Sequence, residues 1–205
     1  MKGKLIVFEG IDGCGKSTQL WKLAKYISEL NKYNHLLITR EPYQKKEIRE
    51  ILKQDESPEE QAEKLADLFI EDRKQHINDL ILPGLEKGKW ILCDRYKFST
   101  IAYQTAQGIE MQKLIEKHSE LPKPNLTLIF DLPEEIAKQR MQQDKIRSTE
   151  QKFEKSTEFQ KKVRENYLKS KEFHPEENIQ IIDASKSIEE IFKEVKQIFD
   201  ETFSK

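Results

Sequence analysis

The chain has 205 residues, enough for one sizeable hydrophobic core and short of the length at which a second domain is expected. Charged side chains make up 36% of it yet cancel to a net charge of -1, so no global field draws it to nucleic acid or to a membrane. Two cysteines, Cys14 and Cys93, are too few for a disulfide framework and form no zinc-like cluster, which fits a reducing cytoplasm.

The first apolar run, "LIVF" from Leu5, is too short for a signal peptide or a membrane span, and it reads as a strand. Directly after it, Gly10 to Ser17 fits G-x-x-x-x-G-K-[ST]. Three of the chain's seven glycines fall in this stretch, where they let backbone N–H groups curl round a polyphosphate without Cβ clashes. A helix should follow, since Leu20, Leu23, Ala24 and Ile27 share one face, and its N-terminal end adds positive potential. Gly10, Ile11, Asp12, Gly13, Cys14, Gly15, Lys16, Ser17 and Thr18 are therefore expected to cradle a nucleotide's polyphosphate, with Lys16 reaching the β and γ phosphates and Ser17 holding Mg²⁺. Asp12 is out of character in an anion cradle. It either faces solvent or accepts a hydrogen bond from a hydroxyl of a second ligand.

The next run, "LLIT" from Leu36, leads into "TREP", Thr39 to Pro42, whose Arg40 and Glu41 are placed to line the same cleft. "SPEE" at Ser57 is a capping box that opens a helix with Ala62, Ala66, Phe69, Arg73 and Ile77 on one stripe. An arginine on an apolar stripe is either paired within the protein or a donor to a base, with Phe69 as the stacking face one turn earlier. "WILC" from Trp90 precedes "DRYKFSTIAYQ", Asp94 to Gln104. Asp94, at a strand's C-terminal end, is a candidate for the metal, and Arg95 can fork onto a phosphate. Asp131, after "LTLIF" from Leu126, is the rival for the metal role. The segment from Lys138 to Lys171 is charged and nearly free of glycine, read either as a solvated helix pair or as a mobile cover over a site. "IQII" from Ile179 is the fifth run. Continuous apolar runs alternating with helical segments predict an α/β fold, a five-stranded parallel sheet wound on both faces. Ligands should gather outside its C-terminal edge.

At these residues the sequence resembles the thymidylate kinases, over essentially the whole chain. "FEGIDGCGKST" is similar to the family's F-E-G-x-D-G-x-G-K-S-T, "TREP" to the start of T-R-E-P-G-G, and "LFIEDRKQH" to L-F-x-x-D-R-x-x-H. "DRYKFSTIAYQ" is similar to D-R-Y-x-x-S-x-x-A-Y-Q, and "LPKPNLTLIFDLP" to the strand-four motif. The resemblance implies a P-loop NTPase fold over residues 1–205 with a short lid within about 140–153, and transfer of the ATP γ-phosphoryl group to dTMP in dTTP synthesis. It implies a substrate set of Glu9, Asp12, Arg40, Phe69, Arg73, Arg95, Ser99, Thr100, Tyr103 and Gln104. Within that set Asp12 would meet the sugar 3'-hydroxyl, Phe69 stack on thymine, Arg73 bond the base edge and Arg95 hold the acceptor phosphate. Tyr103 would crowd the 2'-position, with Ser99 and Gln104 completing the base pocket. Lys16, Asp94, Arg95 and Arg147 are the expected catalytic residues, with Ser17 and Asp94 on Mg²⁺. A cytoplasmic homodimer is implied as well, with neither nucleic acid nor membrane as a partner.

Two departures stand out. Tyr43 and Gln44 occupy the place of the family's usual two glycines, and the loop carries Gly13 and Cys14 where one branch has an arginine. The basic group must then come from Arg140, Lys145, Arg147 or Lys152, with Arg147 favoured by position. Among rival classes, a GTPase would need N-K-x-D, which is missing from the sequence, and an inactive nucleotide-binding module would be expected to have lost Lys16 or Arg95. A sibling monophosphate kinase would share the loop and lack the set Phe69, Arg73, Tyr103 and Gln104.

Overall fold

Each of the five apolar runs forms a strand in the computed structural model, which describes residues 3–54, 61–143 and 157–203. These are β1 (Lys4–Glu9), β2 (Leu36–Arg40), β3 (Trp90–Asp94), β4 (Leu126–Asp131) and β5 (Ile179–Asp183). All neighbours pair in parallel, in the order β2-β3-β1-β4-β5. β1 is central, and its side chains alternate between two cores. Ile6 and Phe8 join Leu20, Leu23, Ile27, Val195 and Phe199 on one face, while Leu5 and Val7 join Ile77, Ile81 and Tyr96 on the other. Burying each such aliphatic or aromatic side chain contributes about 1.5–3 kcal/mol before entropy is counted.

Two-sided burial holds for β1, β3 and β4. It weakens at the edge strands, where Ile38 and Ile181 are each 37% exposed.

The helices are α1 (Lys16–Leu30), α2 (Lys46–Gln54), α3 (Ala62–His76), α4 (Leu82–Glu86), α5 (Lys97–Ala106), α6 (Met111–Lys117), α7 (Glu134–Gln143), α8 (Thr157–Phe173) and α9 (Ile188–Phe203). A wider π turn, Ile77–Ile81, joins α3 to α4. The capping box at Ser57 lies outside the described residues, as do Lys145, Arg147 and Lys152. α8 departs from the solvated-pair expectation: Gln160, Val163, Asn166, Tyr167 and Ser170 form a buried stripe packed along α5. Among the described residues no helix is long and apolar enough to cross a membrane.

The sheet order reverses at β1, so the loops after β1, β3 and β4 open onto one crevice at the strands' C-terminal ends.

Candidate active site

The donor side is built by the turn from β1 into α1. Gly10 and Gly13 both have positive φ, and a Cβ on them would lie 2.6 Å from the Phe130 carbonyl and 2.7 Å from the Ala137 carbonyl. The loop is thus pressed against β4 below and α7 above. Lys16 is buried, its ammonium folded back onto the carbonyls of Gly10 (2.9 Å) and Ile11 (2.8 Å). Those bonds satisfy a cation that a polyphosphate would otherwise engage. Thr18 is exposed on the first turn of α1, while Ile11 and Cys14 pack into the core.

Ser17 Oγ donates to Asp94 Oδ2 at 3.3 Å, and Asp94 Oδ1 is buried with no hydrogen-bond partner. A hydroxyl and a half-satisfied carboxylate, both hard oxygen donors, suit Mg²⁺. The exposed Arg40 approaches the same carboxylate at 3.7 Å. Asp131 is otherwise engaged: Arg164 grips both its oxygens, at 2.5 and 3.0 Å.

The acceptor side centres on Arg95, whose backbone sits at φ 72 while its N–H donates to Phe8 O at 2.9 Å. One end of the guanidinium donates to Asp12 Oδ1 at 2.5 Å, and the other to Ser99 Oγ and Tyr167 OH, each at 3.1 Å. Tyr103 lies under it, ring centroid 5.2 Å from the guanidinium carbon. Asp12 therefore turns toward the acceptor side. Glu9, expected on the substrate, is instead fully enclosed beneath this cluster: its carboxylate accepts from Tyr96 N (2.9 Å), Ser99 N (3.2 Å) and Ser99 Oγ (2.5 Å). Burial pushes its pKa up, against the Ser99 bond and the Arg95 charge.

Arg73 takes the internally paired course. It is 1% exposed, with Nε donating to Glu41 Oε2 (2.7 Å), Nη1 to His118 Nε2 (2.7 Å) and Nη2 to Tyr96 O (2.9 Å) and Thr100 Oγ1 (3.0 Å). A base-edge bond from it requires these donors to be shared or turned. Phe69 is half-buried one turn earlier. Gln104 is buried, donating to Gln107 at 3.0 Å and keeping Oε1 without a partner. His118 donates Nδ1–H to Leu114 O, and burial together with the Arg73 charge lowers its pKa to about 3, so it is a neutral acceptor.

The departure at Tyr43 and Gln44 is absorbed locally. Asp72 accepts the backbone N–H groups of Tyr43 (2.5 Å), Gln44 (2.9 Å) and Lys45 (2.8 Å), and the Tyr43 ring stacks on His76 at 4.6 Å. Glu41, His76 and Cys93 lie within 4.8 Å of one another, but Arg73, Thr39 and the Arg95 carbonyl already occupy them. They form a hydrogen-bonded junction.

Tyr167 and His118 belong to none of the sequence motifs above, and Asp72 stands in "LFIEDRKQH" with no role legible there. Tyr167 left one signal, an aromatic at helical spacing from Val163 and Ser170.

A profile of the thymidylate kinase family matches residues 8–195. The chain belongs to that family. It is 40% identical over 201 residues to a probable thymidylate kinase of Pyrococcus horikoshii, covering 95% of each chain. It is 38% identical to a thymidylate kinase of Carboxydothermus hydrogenoformans, covering 96% of each. The crystal structure of the Ehrlichia chaffeensis thymidylate kinase superposes with a TM-score of 0.73 at 27% identity, over 97% of this chain and 99% of that one. The fold is that of the P-loop NTPases, as the resemblance implied.

Proposed function

We propose that this member of the thymidylate kinase family transfers the γ-phosphoryl group of ATP to the 5'-phosphate of dTMP, giving dTDP on the way to dTTP. The observation that carries the reading is the abutment of two anion sites. The glycine loop with Lys16 and Ser17 meets a second cationic group, Arg95, bridged to the loop by Asp12. An acceptor phosphate oxygen attacks the γ-phosphorus while the bond to the bridging oxygen of ADP breaks. No covalent enzyme intermediate is needed, because the acceptor phosphate is already a nucleophile at neutral pH.

Catalysis then consists of positioning and charge neutralisation. Lys16 exchanges the Gly10 and Ile11 carbonyls for the β and γ phosphates, and Arg95 orients the acceptor phosphate. Asp12 meets the sugar hydroxyl from the same corner. Tyr103 bars a 2'-hydroxyl, and Phe69, Thr100, Gln104 and a shared N–H of Arg73 frame the base. Ser17 and Asp94 would hold Mg²⁺, which supplies neutralisation of the β and γ oxygens. Our reading further takes the enzyme to be a cytoplasmic homodimer with its lid within residues 140–153, a segment of which 144–153 lie outside the described residues.

A coupled ADP-release assay over a panel of nucleoside monophosphates tests the reading. dTMP should exceed dCMP and dGMP by about a hundredfold in kcat/KM, since those bases leave the pocket's polar groups unpaired. Equal use of all three would leave only a general monophosphate kinase.

A further inference from the structure

Tyr167 comes from α8, far in sequence from the motifs, and is 1% exposed. A buried phenol hydroxyl needs partners. This one has Ser99 Oγ at 2.8 Å, Arg95 Nη1 at 3.1 Å and Glu9 Oε2 at 3.4 Å. The donor inventory fixes the direction of the Arg95 bond. The guanidinium only donates, so the phenol lone pair receives Arg95, and the phenol proton has two acceptors beyond it, Ser99 Oγ at 2.8 Å and Glu9 Oε2 at 3.4 Å. Arg95 thus donates to Tyr167, which stands between the guanidinium and the Ser99 and Glu9 pair. The Tyr167 ring also stands edge-on to Tyr103, centroids 6.4 Å apart, and Tyr103 is the ring beneath the guanidinium.

We propose that Tyr167 is a positioning residue that aims Arg95 at the acceptor phosphate. The proposal rests on the assignment of Arg95 to that phosphate. Nη2 is drawn to Asp12, and Nη1 is shared between Ser99 and the phenol. Without the phenol oxygen, Nη1 keeps a single tether and the guanidinium can swing about its bond to Asp12. Charge-assisted hydrogen bonds are the strong kind, so one lost contact is felt in binding. α8 thereby acts on the acceptor.

The test is a cycle of Tyr167→Phe, Arg95→Ala and the double variant, read as the dTMP dissociation constant by calorimetric titration, with KM for ATP and Tm alongside. Phe keeps the buried ring and removes only the hydroxyl. Arg95→Ala should weaken dTMP at least about thirtyfold. Tyr167→Phe should weaken it about tenfold with KM for ATP within about twofold, and should add less than about twofold on top of Arg95→Ala. If Arg95→Ala weakens dTMP and Tyr167→Phe does not, the positioning role falls and the Arg95 assignment stands. Equal weakening by Tyr167→Phe in both backgrounds also overturns it, because the effect would not run through Arg95. An unaltered constant in Arg95→Ala removes both. Should Tyr167→Phe melt too low to titrate, the whole cycle is titrated below its Tm, with all four proteins at that one temperature.

Discussion

The donor side of the site is drawn from one stretch, residues 10–18 with Asp94, whereas the acceptor side takes Glu9, Asp12, Arg95, Ser99, Tyr103 and Tyr167 from β1, its loop, the β3–α5 turn and α8. The first is backbone geometry closed by glycines. The second is a side-chain network whose members also hold the core together, as the Arg73, Glu41 and His118 junction does one layer deeper. Damage on the donor side should therefore stop chemistry and leave the fold intact, while damage on the acceptor side should reach stability too.

The largest effect belongs to the donor side's missing arginine. Of alanine replacements at Arg140, Lys145, Arg147 and Lys152, Arg147→Ala should lower kcat by about three decades or more with little change in the dTMP dissociation constant. Arg140→Ala should matter less, since Arg140 already donates to the Ala184 carbonyl at 3.0 Å. Four near-normal enzymes would move the basic group elsewhere, to Arg40 or a partner subunit.

Next comes Glu41→Ala, which leaves the Arg73 guanidinium buried and without its carboxylate. Urea melts should show a loss of about 3–5 kcal/mol, as for other broken buried pairs. A normal melt would mean that Arg73 turns outward easily, toward a base. Lys16→Ala and Arg95→Ala should each cut turnover by about a hundredfold, with normal melts for Lys16→Ala.

A further effect, spread over several pH units, is in the pH dependence of stability. His118 stays neutral in the fold down to about pH 3 and protonates in the unfolded chain near its ordinary 6.5. The unfolded state thus binds more protons between those values. Stability should fall as pH drops through that window, by up to about 1.4 kcal/mol per pH unit from this group. His118→Gln, with an amide oxygen for Arg73, should flatten that part of the curve.

What could be read in advance follows the same division. β1, β3 and β4 were legible because two-sided burial writes continuous apolar runs, and the glycine loop because its ligands are neighbours in sequence. Phe69 and Arg73 showed as a stripe, but whether the arginine was paired inward depended on Glu41 and His118, which reach it from other elements. Tyr167 meets Arg95 across 72 positions, and that contact exists only once α8 has packed on α5 in one register. Asp72 is similar. It falls inside the matched stretch "LFIEDRKQH", but that it collects three backbone N–H groups from a loop some 27 to 29 positions earlier is not written locally.

Arg95 holds its guanidinium from a left-handed backbone, φ 72, that suits glycine and costs other residues about 1–2 kcal/mol. The side chain this reading most requires thus stands where the local conformation favours it least. Glycine at position 95 would relieve that strain but forfeit the bonds to Asp12, Ser99 and Tyr167, so the network that aims the guanidinium also holds the backbone in its unfavoured state.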